Sequence, residues 1–273
     1  MNDILAQLIS LCAHGNAFLQ GRQIYTQYFK ENTTYRFCGN VEFRGYRETF
    51  FTRREVQIGT SPEEWFDYLK QCRCSALTLD FEYSADQSLV KDYKSAGFVG
   101  GGGRWAIKAF YPKDLDFWFP LWDSTDENAK DQKIWGVRYY SLDIMKVALG
   151  YSESLQQVRE QLYRVLDQVS EFAQQHNLEP WGAIFQEALF TLSSKTPQED
   201  YYYHDLLPPD VYSKEAEQVL FSAAKANVFG GMGSWNDMGF GDDKVSARYE
   251  ELSSLLYDTI VKAIQVSVNS IRG

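Results

Sequence analysis

The chain of 273 residues carries 27 Lys and Arg against 37 Asp and Glu, a net charge of −10, and is 44% hydrophobic and 16% aromatic. That is apolar enough for one large core or two small ones, and acidic enough to disfavour nucleic-acid phosphate as a partner. No stretch has the length and apolarity of a bilayer span, and the segment from Met1 to Gln20 lacks the basic start of a signal peptide, so the expectation is a cytoplasmic protein that does not bind a membrane.

The charge is uneven. Residues 1–110 hold 13 basic and 12 acidic side chains, whereas residues 111–273 hold 14 and 25, a net of −11. Basic proteins and cations are the easier partners of the second half.

In chain order, residues 3–20 read as a helix with Ile4, Leu5, Leu8, Ile9 and Cys12 on one face. Tyr35, Phe37, Val41 and Phe43 then alternate with Arg36, Cys38, Asn40 and Glu42, the period of a half-buried strand. Gly45 breaks it, and "YRETFFTRREVQIG" returns as the antiparallel partner of a hairpin. Arg44, Arg47, Arg53 and Arg54 on this hairpin could touch phosphate, but Glu42, Glu48 and Glu55 beside them favour a salt-bridged strand face.

"TSPEEWFDYLKQC" carries the clearest local signal. Ser61 fits the N-cap, Pro62 the first helical position and Glu64 the third, with Trp65, Phe66, Leu69 and Cys72 on one face. "SALTLDFEY" follows as a strand, with Leu77, Leu79, Phe81 and Tyr83 inward and Thr78, Asp80 and Glu82 outward. "RWAIKAFY" and "KIWGVRYY" are further strands, separated by an acidic, aromatic loop over residues 111–132. Glycines 100–103 precede a strand and not a helix, so they read as a mobile turn and not as a dinucleotide fingerprint.

After Ser141 the period becomes 3.6. Ser141 caps a short helix that Gly150 ends, and Ser152 caps the next, with Leu155, Val158, Leu162, Val165, Leu166, Val169 and Phe172 as its stripe. Further helices are expected over 181–194, 211–228 and 244–270, the last with Tyr249, Leu252, Leu256, Ile260, Ala263 and Ile264 inward. Strands first and helices later mean an α+β fold. We expect one domain over 1–273, an antiparallel sheet from residues 1–140 packed by a mostly helical 141–273.

Candidate chemistry is sparse. Cys12, Cys38, Cys72 and Cys74 include no second pair to complete a zinc site, and they read as reduced thiols. No nucleophile, metal or cofactor motif is present. "VFGGMGSWNDMGFGDD", residues 228–243, joins two helices. Gly230 or Gly231 suits a left-handed C-cap and Asp242 or Asp243 an N-cap. Gly233 and Gly239 imply positive φ or close approach, Trp235 a plug at a core edge, and Asn236 and Asp237 a capped turn or a cation ligand. The run is a packed loop, part of a partner surface, or a small-ligand site.

"VFGGMGSWNDMGF", followed by "YEELSSLLYDTIVKAI" and ending near "VNS", resembles the tail of a family of bacterial proteins with no assigned activity. The resemblance implies a bacterial cytosolic protein of the sort found beside toxin genes. It brings no catalytic residue with it.

Three functions follow as expectations. The first is a non-enzymatic module that binds a basic protein, with toxin neutralisation as its concrete form and Trp118, Trp122, Asp123, Tyr202, Asp205 and Trp235 as contacts. The second is an enzyme on a small or sugar-like substrate, with Asp80, Glu82, His204 and Asp237 as acid and base candidates. Convergence of these four in one pocket is its signature. The third is a subunit of an assembly, marked by a large apolar patch.

Overall fold

The computed structural model describes residues 1–22, 24, 27–49, 52–83, 103–142, 153–230 and 233–271. Residues 143–150 of the helix expected after Ser141, the cap at Ser152 and the glycines at 100–102 fall outside these residues, whereas Ser141 itself is described and lies in a strand instead of capping a helix.

The order is α1 (Asp3–Leu19), α2 (Tyr28–Glu31), a 3-10 turn (Thr33–Tyr35), β1 (Cys38–Thr49), β2 (Thr52–Gly59), α3 (Pro62–Gln71), β3 (Ala76–Tyr83), β4 (Gly103–Phe110), β5 (Leu115–Ser124) and β6 (Trp135–Leu142). The helical half follows as α4 (Leu155–Gln175), α5 (Glu179–Thr191), α6 (Lys214–Lys225), a 3-10 turn (Trp235–Asp237), α7 (Asp243–Val268) and a closing 3-10 turn (Asn269–Ile271). The fold is α+β.

The six strands lie in the order β2-β1-β6-β5-β4-β3. Every neighbouring pair is antiparallel except β1 with β6, which is parallel. The chain therefore leaves the sheet at β2, crosses through α3 to the far edge, and meanders back until β6 docks beside β1. A hairpin reading foresees β1–β2 but not that parallel joint.

Four local readings change. Residues 33–35 form a 3-10 turn, so β1 begins at Cys38, not at Tyr35. A register shift between Cys38 and Asn40 changes the strand's phase, which puts Cys38 on the buried side with Val41 and Phe43. Gly45 does not end β1: it pairs with Val56, and Ile58 Cδ1 lies 2.5 Å from where a Cβ would stand. The expected loop at 111–132 contains β5.

Helix starts follow the sequence more closely. Ser61 Oγ accepts from Glu64 N at 3.3 Å, while the Glu64 carboxylate reaches back to Thr60 N at 2.7 Å, one residue further than a standard capping box. The cap of α4 is Ser154, not Ser152, with Gln157 as its reciprocal partner.

One apolar cluster runs through both halves. It contains Val41, Phe43, Trp65, Leu79, Ile107, Trp118 and Val137 of the sheet and α3, and Val165, Phe185, Leu220 and Leu256 of the helices. α1 sits inside this cluster, and every residue from Leu5 to Ala17 is buried. The expected one-sided helix is thus a central one, although Ile4 stays partly exposed. Burying each large aliphatic chain stabilises by roughly 1.5–3 kcal/mol. An unsatisfied buried polar group costs about 1–3 kcal/mol, so α1's inward polar groups need partners.

They have them. Gln7 donates to Thr34 O at 2.9 Å and accepts from the Tyr139 hydroxyl at 2.8 Å. Ser10 Oγ pairs with the Tyr28 hydroxyl and lies 3.3 Å from His14 Nδ1. Asp3 accepts from the Tyr203 hydroxyl. Spacings of four, three and four residues put Asp3, Gln7, Ser10 and His14 on one stripe of the helix.

Candidate functional site

The long connection between α5 and α6 is built by local bonds first. Glu199 N donates to Thr196 O at 3.0 Å and Tyr201 N to Gln198 O at 3.2 Å, two successive turns. Asp200 takes a left-handed φ of 59°, which its short side chain tolerates better than a branched one. From there the side chains alternate. Tyr203 and Asp205 are buried, while Tyr202 and His204 are exposed.

The inward members anchor the segment. The Tyr201 hydroxyl donates to Ala224 O at 3.4 Å, and Tyr203 donates to Asp3. Asp205 accepts from Thr33 N at 2.9 Å and from the Thr33 hydroxyl, while its own carbonyl accepts from Asn32 Nδ2 at 3.1 Å. Burial raises the Tyr203 phenol well above its usual range, with Asp3 adding to the effect, so it stays a neutral donor.

The outward members line an open depression of about 660 Å³, together with Glu199, Asp200 and Gln198. Its lining thus includes two acidic residues, an exposed tyrosine and a histidine. The ring of Tyr202 already carries a cation of the chain itself, the Arg36 guanidinium at 5.9 Å from its centroid.

Of the expected contacts, Tyr202 is 48% exposed and belongs to this depression. Trp118 and Trp235 are 0% exposed and cannot meet a partner. Trp118 packs edge-on to Trp65 at 5.4 Å within the sheet core. Asp205 is likewise buried and consumed by Thr33. Trp122 is half-buried against Trp135, and Asp123 is ion-paired with Arg138 on the adjacent strand.

The four acid–base candidates do not converge. Asp80 is buried on β3, not outward, with Gln265 Nε2 of α7 at 3.3 Å from its Oδ1. Glu82 pairs with Arg104 at 3.0 Å. Asp237 accepts from Gly233 N at 2.5 Å in the 228–243 loop. Only His204 lines the depression.

The 228–243 loop has a structural account. Trp235 Nε1 donates to Ser253 Oγ at 2.7 Å, and its ring meets Phe185 at 5.1 Å, Tyr249 at 5.3 Å and Trp181 at 5.7 Å. Asn236 clasps Gly230, accepting from its N at 3.1 Å and donating to its O at 3.3 Å. Gly233 has φ of 85°, as a turn glycine requires, whereas Gly239 has open space and no positive φ. Gly230 is not a helix cap, because α6 already ends at Lys225 with Ala226 as its right-handed C-cap. Asp242 caps α7 through Lys244 N and Val245 N.

The expected salt-bridged hairpin face is present: Arg44 bridges Glu42 at 2.8 Å and Glu55 at 2.7 Å. Among the described residues no helix is long and apolar enough to cross a membrane.

The fold and the depression define an α+β protein with an acidic, aromatic-walled surface site. No family model, curated protein or solved structure matches the chain. The sequence names Tyr202 and His204 of this site but assigns them to different roles, and it leaves Gln198, Glu199 and Asp200 beside them unnamed in either role. The site's signal is the period of two through Tyr201, Tyr202, Tyr203, His204 and Asp205, which sorts anchors from exposed groups.

Proposed function

We propose that the protein is a non-enzymatic interaction module whose 196–204 depression receives basic side chains of a partner protein. The observation that carries this reading is the placement of exposed Tyr202 beside Glu199 and Asp200 on a segment anchored by Tyr201, Tyr203 and Asp205. A guanidinium or ammonium there gains two carboxylates and a ring face, a combination suited to an affinity anchor. The net charge of −11 over residues 111–273 supplies long-range steering of a basic partner. Neutralisation of a basic toxin in the bacterial cytoplasm is the concrete form of this role. The dispersal of Asp80, Glu82, His204 and Asp237 gives no support to acid–base catalysis by those groups.

The test is capture from a lysate of the source cell at about physiological ionic strength, comparing wild type with E199Q/D200N/Y202A. Retention of a basic protein by the first and its loss by the second is the expected result. Equal retention by both, or retention of no basic protein by either, overturns the proposal.

A further inference from the structure

A second pocket lies between α4 and the end of α5, with a volume of about 360 Å³. Its walls are Arg159, Glu160, Tyr163, Arg164 and Leu192. Two guanidiniums on one wall are unexpected in the half of the chain where 25 acidic side chains outnumber 14 basic ones. Among the described residues neither meets a carboxylate. Arg159 Nη2 donates to Leu192 O at 2.8 Å, and Arg164 Nε donates to Glu160 O at 3.3 Å.

Those two bonds engage one nitrogen of each guanidinium with a backbone carbonyl and leave the exposed nitrogens of Arg164 uncommitted among the described residues. Arg159 Nε is buried without an acceptor among the described residues. The carboxylate of Glu160 accepts from Gln156 Nε2 at 3.2 Å and does not neutralise either arginine directly. The remaining surface is apolar or aromatic: Leu192, and Tyr163 at 54% exposure.

We infer that this pocket binds a small organic carboxylate carried on an apolar or aromatic body. Arginine pairs with carboxylate through parallel N–H donors, a geometry that a neutral amide cannot match in charge. The body of the ligand lies along Tyr163 and Leu192. The volume is at the small end of ligand pockets, which suits a molecule of the size of an acylated amino acid. The pocket is separate from the 196–204 depression, so the two proposals stand or fall independently.

The experiment is a calorimetric titration at low salt with N-acetyl-phenylalanine and, as its uncharged counterpart, N-acetyl-phenylalaninamide. The acid is expected to bind at least about tenfold more tightly than the amide, equivalent to about 1.4 kcal/mol. The R159Q/R164Q chain should lose that preference, and R164Q alone, at an exposed position, should reduce it without disturbing the fold. A tripeptide ending in phenylalanine separates the sources. Binding equal to the free acid supports a chain terminus as ligand, and binding only by the free acid supports a small metabolite. Equal affinity for acid and amide, absence of saturable binding in the millimolar range, or an unchanged preference in R164Q and R159Q/R164Q overturns the inference.

Discussion

Asn16 and Asn269 stand in succession along the free edge of β3 and treat it as a neighbouring strand would. Asn16 accepts from Leu77 N at 2.8 Å and donates to Leu77 O at 2.9 Å. Asn269 does the same at Leu79, at 2.8 and 2.9 Å. Leu77 and Leu79 are alternate residues, so their outward backbone groups belong to the same edge. Two side chains from opposite ends of the sequence thus close an edge that would otherwise invite pairing with another chain.

Replacing Asn16 by Ala leaves a buried N–H and C=O unmatched. At about 1–3 kcal/mol per group the expected loss is roughly 2–6 kcal/mol. N269A, at a half-buried site, should cost about half as much. Urea unfolding of both variants checks the order, and a loss of less than about 0.5 kcal/mol for N16A would show that the edge is satisfied some other way.

Acid sensitivity should be traceable to His14. Burial lowers its pKa to about 4, against the opposing pull of the Ser10 carbonyl and Asp205. The folded state therefore binds its proton less readily than the unfolded chain does. Stability from this group is complete above the unfolded pKa of about 6.5 and is lost as the pH falls to about 4, by about 3 kcal/mol. H14F should flatten the unfolding free energy across that window relative to wild type. A parallel pH profile for the two proteins would remove His14 as the cause.

Only Cys72 should react quickly with a thiol reagent in the native protein. It is exposed, whereas Cys12, Cys38 and Cys74 are buried, and burial pushes Cys38 and Cys74 up to about 11. One fast equivalent in buffer and four in denaturant are expected. A second fast equivalent would mean that the core around α1 opens on the timescale of labelling.

Two aromatic residues expected to do similar work should separate cleanly. W235A should cost about 3–5 kcal/mol, because it empties the ring cluster of the helical half. Y202A should change stability by less than about 0.5 kcal/mol while weakening association with a basic partner. Thermal unfolding and binding measured on the same two variants give the contrast.

How legible these features are depends on where specificity resides. Ser61, Pro62 and Trp65 announce α3 because cap, first turn and buried face are all local. β5 escapes because Phe117, Trp118 and Phe119 are buried in succession, so no alternation marks the strand, and Pro120 argues against one. The structure accommodates Pro120 where the ladder with β4 has already stopped at Trp118 while that with β6 runs on to Ser124. The parallel β1–β6 joint depends on a crossover that no local pattern encodes. Trp118 and Trp235 look like contact residues in sequence because composition cannot distinguish an aromatic that anchors a partner from one that anchors the core. Asp80 and α1's polar stripe fail similarly, since their partners come from distant segments.

The central position of α1 also sets an order of events during synthesis. α1 leaves the ribosome before every element that encloses it: Leu77 lies 61 residues further on, Tyr139 132 beyond Gln7, Tyr203 200 beyond Asp3, and Ile271 251 beyond Gln20. A nascent α1 must therefore wait with its apolar and polar stripes both unpartnered. Closing such distant contacts makes folding slow, and the waiting helix is a natural handle for a chaperone.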